Sequence, residues 1–77
     1  MSDDELATLR VRERGDIVIA NVEGEIDLSN ASSLLMDLAS AVPNTAHGLV
    51  VDLSGLEFLD SSGVHMLYDI ADRLATR

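Results

Sequence analysis

The sequence predicts an α/β domain. A period-two segment followed by turn residues and a second apolar run reads as a hairpin; a strand pattern, a helical stripe and another strand pattern follow; a second helical stripe comes last. Strand, helix and strand in succession imply a right-handed parallel crossover. The expected order is β-β-α-β-α in 77 residues, a length that supports one domain.

Met1 to Glu5 reads as an acidic, solvated tail. Ala7, Leu9 and Val11 then alternate with Thr8, Arg10 and Arg12, the pattern of a half-buried strand. Glu13-Arg14-Gly15-Asp16 supplies turn chemistry, and Ile17 to Val22 follows as a strand apolar on both faces, with the hairpin ending near Gly24. Beyond it Leu28, Ala31, Leu34, Leu35, Leu38, Ala39 and Val42 recur at spacings of three and four, the stripe of an amphipathic helix that Asp27 or Ser29 can cap. Pro43 ends that helix near Ala41, because it lacks a donor and clashes with the preceding turn.

Leu49-Val50-Val51-Asp52-Leu53 is a continuous apolar run, as expected for a strand covered on both faces. Asp52, at its end, is expected to bond the loop that follows. A second helix starts near Ser62 with Val64, Leu67, Tyr68, Ala71 and Leu74 as its stripe. Met36 and Met66 read as core fillers.

Composition excludes several classes of function. The 47% hydrophobic and 25% charged residues give an ordinary globular balance, but so short a chain has a small core and marginal stability. Five arginines and no lysine face 14 acidic residues, for a formal charge of −9 that repels nucleic-acid phosphates. Without cysteine there is no disulfide framework, thiolate metal site or thiol nucleophile, which favours a reducing cytoplasm. The acidic start is unlike a signal peptide, and no apolar run approaches the roughly 18 residues of a membrane span.

The most informative segment runs from Val50 to Val64: a strand, a loop, then Asp60-Ser61-Ser62-Gly63 at a helix start. The first amides of a helix lack partners and carry the positive end of its dipole. Asp60 or Ser61 can cap them, and a phosphoryl group is well received there. Gly63 clears the first turn for a close neighbour. An isolated motif of this kind is only a cap; its context says more.

Asp60-Ser61-Ser62-Gly63, after a strand ending Asp52-Leu53 and a loop ending Phe58-Leu59, resembles the hallmark of the STAS domain family, and of its bacterial anti-sigma factor antagonists in particular. Gly24-Glu25-Ile26-Asp27, between the second strand and the first helix, is similar to a second family signature. The resemblance spans Leu6 to Leu74 and implies a mixed sheet flanked by helices. It also implies a switch. In such antagonists the serine after the motif aspartate, here Ser61, is phosphorylated by an anti-sigma factor that is itself a serine kinase, and a serine phosphatase resets it; Ser62 is the less favoured acceptor.

Asp27, Asp60, Ser62 and Gly63 are then expected at the partner surface, with no catalytic residue, metal or cofactor. Family domains continue with further strand and helix, so the expectation is a domain whose C-terminal part is missing, either a piece of a longer chain or one whose open sheet edge pairs with a second copy.

Two competing readings follow from the same residues. An enzyme reading is suggested by Ser61, His65 and Asp60, but these cluster in one helical turn and no Gly-x-Ser-x-Gly elbow is present. His47 and His65 have no ligand spacing for zinc. The other reading keeps the fold and drops the switch: an unphosphorylated STAS subunit docked on a lipid-transport or other membrane-associated complex.

Overall fold

The computed structural model of the chain describes residues 6–75, so the expected acidic tail lies outside the described residues. Its elements are β1 (Ala7–Arg14), β2 (Ile17–Ile26), α1 (Ala31–Ala41), β3 (Gly48–Leu59) and α2 (Ser61–Ala75). The strands form one mixed sheet in the order β1-β2-β3, with β1 antiparallel and β3 parallel to β2.

The hairpin is tighter than the turn residues suggested. Arg14 pairs with Ile17, which leaves Gly15 and Asp16 as a two-residue loop. Gly15 has φ 64°, the left-handed conformation such loops require at their first position. The strands also run further than their apolar patterns. Gly24, at φ 102°, keeps β2 in the sheet where a side chain would fail: a Cβ there would stand 2.2 Å from the Leu6 carbonyl oxygen. That carbonyl accepts a bond from the Glu25 amide at 2.9 Å.

The expected loop at Ser54-Gly55 is part of β3. Asn21 pairs with Asp52 but Glu23 with Gly55, so β3 absorbs an extra residue as a bulge. Asp52 is consequently within the strand and not at its end. Its carboxylate accepts the Ser54 amide at 2.9 Å and the Asn21 side-chain amide at 2.9 Å, serving the backbone that the bulge frees.

Both helices pack on one face of the sheet. Ala20, Val22 and Ile26 meet Ala31, Leu34 and Leu38 of α1 and Met66 and Ile70 of α2 in a single core. No polar side chain is buried among the described residues. The expectation of a β3 covered on both faces is not met there: Val50, on the other face, is 51% exposed.

The helix stripes also need correction. The buried residues of α2 are Gly63, Met66 and Ile70, with Leu67 and Leu74 packed against the core as expected, whereas Val64, Tyr68 and Ala71 are exposed. Helix α1 begins only at Ala31, leaving Leu28 80% exposed, and Met36 is a surface residue. Val64, Tyr68 and Met36 each sit one position from a buried or packed residue, and Leu28 fits the α1 stripe although it precedes the helix, so spacing alone does not separate them.

Candidate functional site at the paired helix starts

Parallel pairing of β2 and β3 extends to Ile26 and Leu59, so the two chains leave the sheet side by side. The Asp60 amide donates to the Ile26 carbonyl at 3.2 Å, joining the loop before α1 to the start of α2. Asp27 and Asp60, 33 positions apart in sequence, thereby flank one end of the sheet.

Asp60 is the cap of α2. Its carboxylate accepts the amides of Ser62 at 2.8 Å and Gly63 at 3.2 Å, and its carbonyl accepts that of Val64 at 3.1 Å. The residue after a cap is the first helical residue and projects at the helix mouth. Ser61 holds that position, exposed, while Ser62 is half-buried. Gly63 is buried because the core closes over it: a Cβ would lie 2.2 Å from Leu59 Cδ1 and 2.9 Å from Ile26 Cγ2. The close neighbours are thus side chains of the two strands that end at the site.

Asp27 is not the helix cap that spacing suggested. Neither it nor Ser29 caps α1; Asn30 occupies the cap position and makes no side-chain cap bond. Asp27 closes a turn instead, accepting the Ser29 amide at 2.8 Å and the Ser29 hydroxyl at 2.6 Å. The Ser29 hydroxyl, then its amide, hold the Asp27 carboxyl below the usual carboxylate range. Asn30 staples the turn by accepting from the Asp27 amide and donating to the Glu25 carbonyl, each at 2.9 Å. The loop and its carboxylate are therefore held in place before any partner arrives.

A shallow groove between the helices adjoins the serines. Leu28 forms its rim, Ala31, Leu35 and Met66 its apolar floor, and Ser62 and His65 its far wall. Leu28 is the site residue that sequence periodicity hides, since it fits the α1 stripe by spacing. The signal that separates it is its place before Ser29-Asn30, a pair suited to a turn or a cap.

His65 is exposed on the second turn of α2, and His47 is at the other end of the sheet, where its ring contacts Asp16. No cluster of three metal-ligating side chains occurs among the described residues. Nor is any described helix long and apolar enough to cross a membrane.

A mixed sheet with two helix starts side by side, one opening on Asp-Ser-Ser-Gly, is an α/β arrangement that comparison with known proteins identifies. The model of the STAS domain family matches residues 8–77, and the chain belongs to that family. It is 31% identical over 74 residues to the anti-sigma-F factor antagonist RsfB of Mycobacterium tuberculosis, in strains CDC 1551 and H37Rv alike. That match covers 96% of this chain and 61% of RsfB.

The crystal structure of an anti-sigma factor antagonist from Mycobacterium paratuberculosis superposes with a TM-score of 0.82 at 31% identity, covering 96% of this chain and 63% of the other. An antisigma-factor antagonist STAS domain from Rhodobacter sphaeroides, at 18% identity and a TM-score of 0.73 over 96% of this chain and 80% of its own, shares the fold. The chain thus spans a little under two thirds of the length of its mycobacterial relatives.

Proposed function

We propose that this chain is an anti-sigma factor antagonist of the partner-switching kind. It binds a serine-kinase anti-sigma factor through the end of the sheet where Asp27 and Asp60 meet, and it is released when Ser61 is phosphorylated. A serine phosphatase restores the binding form. The chain is then a kinase substrate in the cytoplasm, not a catalyst.

One observation carries the reading. Asp60 does the capping, so the Ser61 side chain is left exposed at the helix mouth. Ser62, half-buried beside the groove, is the poorer acceptor. Asp27, Ser62 and Gly63 would shape the contact surface, with Leu28 and the groove beside them offering an apolar anchor.

The physics of release follows from charge. A phosphate on Ser61 adds about −1.5 to −2 charges at pH 7 beside two carboxylates. The α2 dipole accommodates part of this, but Asp60 already occupies the amides of Ser62 and Gly63. The added charge therefore faces outward, where a docked partner must desolvate it. A loss of about 2.8 kcal/mol weakens a complex a hundredfold, so no refolding is needed.

The test is a titration of Ser61→Ala and Ser61→Asp against the anti-sigma factor with ATP present. The alanine variant should stay bound and the aspartate variant should bind at least tenfold more weakly. Equal binding by both removes the switch and leaves the unphosphorylated docking subunit. The same proposal assigns the outer edge of β3 to a further strand, supplied by additional chain or by a second copy.

A further inference from the structure

The sheet face turned away from the helices is not a uniformly solvated surface. Arg10, Arg12 and Arg14 pair with Asn21, Ile19 and Ile17 of β2. Cross-strand partners share a face, so the three guanidinium groups form one row, about 6.8 Å apart along the strand. Ile19 and Asn21 pair in turn with Val50 and Asp52 of β3. The face thus passes from an arginine row, through half-buried Ile17 and Ile19, to the exposed Val50.

The row is unusual for this chain. It holds three of the five cationic side chains in a sequence of net charge −9 that has no lysine. No carboxylate among the described residues forms an ion pair with any of the three. Asp52 feels the charge of Arg12 but spends its oxygens on Ser54 and Asn21, and Glu23, opposite Thr8, lies one pair beyond Arg10 on the same face without an ion pair to it. Charges on an edge strand deter edge-to-edge pairing, a task any charge on either face performs. Here all three are arginines, all share a face, and an apolar strip lies beside them.

We propose that this face docks an acidic amphipathic helix of a protein partner, with its apolar side over Ile17, Ile19 and Val50 and its carboxylates along Arg10, Arg12 and Arg14. Arginine suits that role because its planar fork pairs with carboxylates through two parallel bonds. The dimensions agree: three strands about 4.8 Å apart span roughly 10 Å, the width of one helix. The net charge of −9 opposes an extended polyanion such as an anionic membrane or nucleic acid more than it opposes one short helix with a few carboxylates, and a second copy on the same face would set arginine against arginine. Ile17 and Arg14 lie at the strand ends opposite Ser61, so this contact goes beyond the proposed switch and persists when Ser61 is phosphorylated.

The probe is a synthetic 18-residue helix with leucine at spacings of three and four and glutamate along one flank, titrated by NMR against the whole chain. Methyl shifts centred on Ile17, Ile19 and Val50 are expected, with an affinity that falls as salt rises. Arg12→Gln/Arg14→Gln, checked for folding by urea unfolding, should weaken binding at least tenfold, and Ser61→Asp should leave it unchanged. Equal binding of a lysine-flanked peptide, shifts centred on the α1–α2 groove, preferential binding to phosphatidylglycerol vesicles, or no shift at millimolar peptide would overturn the proposal and leave the row as an edge guard.

Discussion

Asp60 links stability to the site, since the carboxylate that caps α2 also leaves Ser61 outside the capping bonds. Removing an N-cap costs about 1 kcal/mol, and up to about 2 in tight settings. Asp60→Ala is therefore expected to lower the urea midpoint by a corresponding amount, whereas Asp60→Asn, which still offers an oxygen to the amides, should retain most of it. Gly24 is a sharper case, because its positive φ and the Leu6 carbonyl both oppose a side chain. Gly24→Ala should cost more than about 1 kcal/mol, measured by the same unfolding curves.

The carboxylates also set a pH response. Hydrogen bonds from Ser29 lower the Asp27 carboxyl, and those from Ser54, then Asn21, lower that of Asp52. A lowered folded value means that the unfolded chain binds the proton more readily in this range. The contribution is complete above the ordinary aspartate value of about 3.9 and is lost as pH falls through the folded values. Stability should thus decline below about pH 4, and Asp52→Asn should flatten part of that decline in urea titrations from pH 5 to pH 3. Both residues are only half-buried, so the slope is shallow.

At the scale of elements, the core depends on few side chains. Leu38 is fully buried on α1, and Leu38→Ala should cost about 2–5 kcal/mol, a large part of the stability of so small a domain. Tyr68 belongs by spacing to a helical stripe but is 69% exposed, so Tyr68→Ala should change stability by no more than about 0.5 kcal/mol. Thermal unfolding of the pair separates a true core position from an apparent one.

These two residues also show what the sequence could convey. Element order, the Pro43 stop and the hairpin were legible because turn chemistry and periodicity act locally. The phase of the helix stripes was not, since α2 carries apolar residues at both Val64 and Met66 and only tertiary packing chooses between them. The bulge that keeps Ser54 and Gly55 in β3 depends on its register with β2, which no local pattern states. Within the site, the Asp-Ser-Ser-Gly motif was readable, whereas the turn around Asp27 and the exposure of Leu28 required the backbone to be seen.

At the scale of the molecule, surfaces of opposite character lie at different ends of one small sheet. The paired helix starts present Asp27, Asp60 and the exposed Ser61, the acceptor in the proposed switch; the helix-free face presents the arginine row. The fold separates them because β2 and β3 run parallel, which brings both helix starts to a single end, while the antiparallel β1 carries Arg12 and Arg14 towards the other. In the proposed switch a phosphate at one end would therefore act on one contact without adding its charge to the other surface, since the strands are longer than the Debye length of about 8 Å at physiological salt.

The most direct test of the switch is site-resolved mass spectrometry of the protein isolated from its native cells, with and without phosphatase treatment. A phosphatase-sensitive phosphate on Ser61, rising and falling between growth and stress, is the predicted result. Ser61 unmodified in every condition, or a phosphate confined to Ser62, would contradict it.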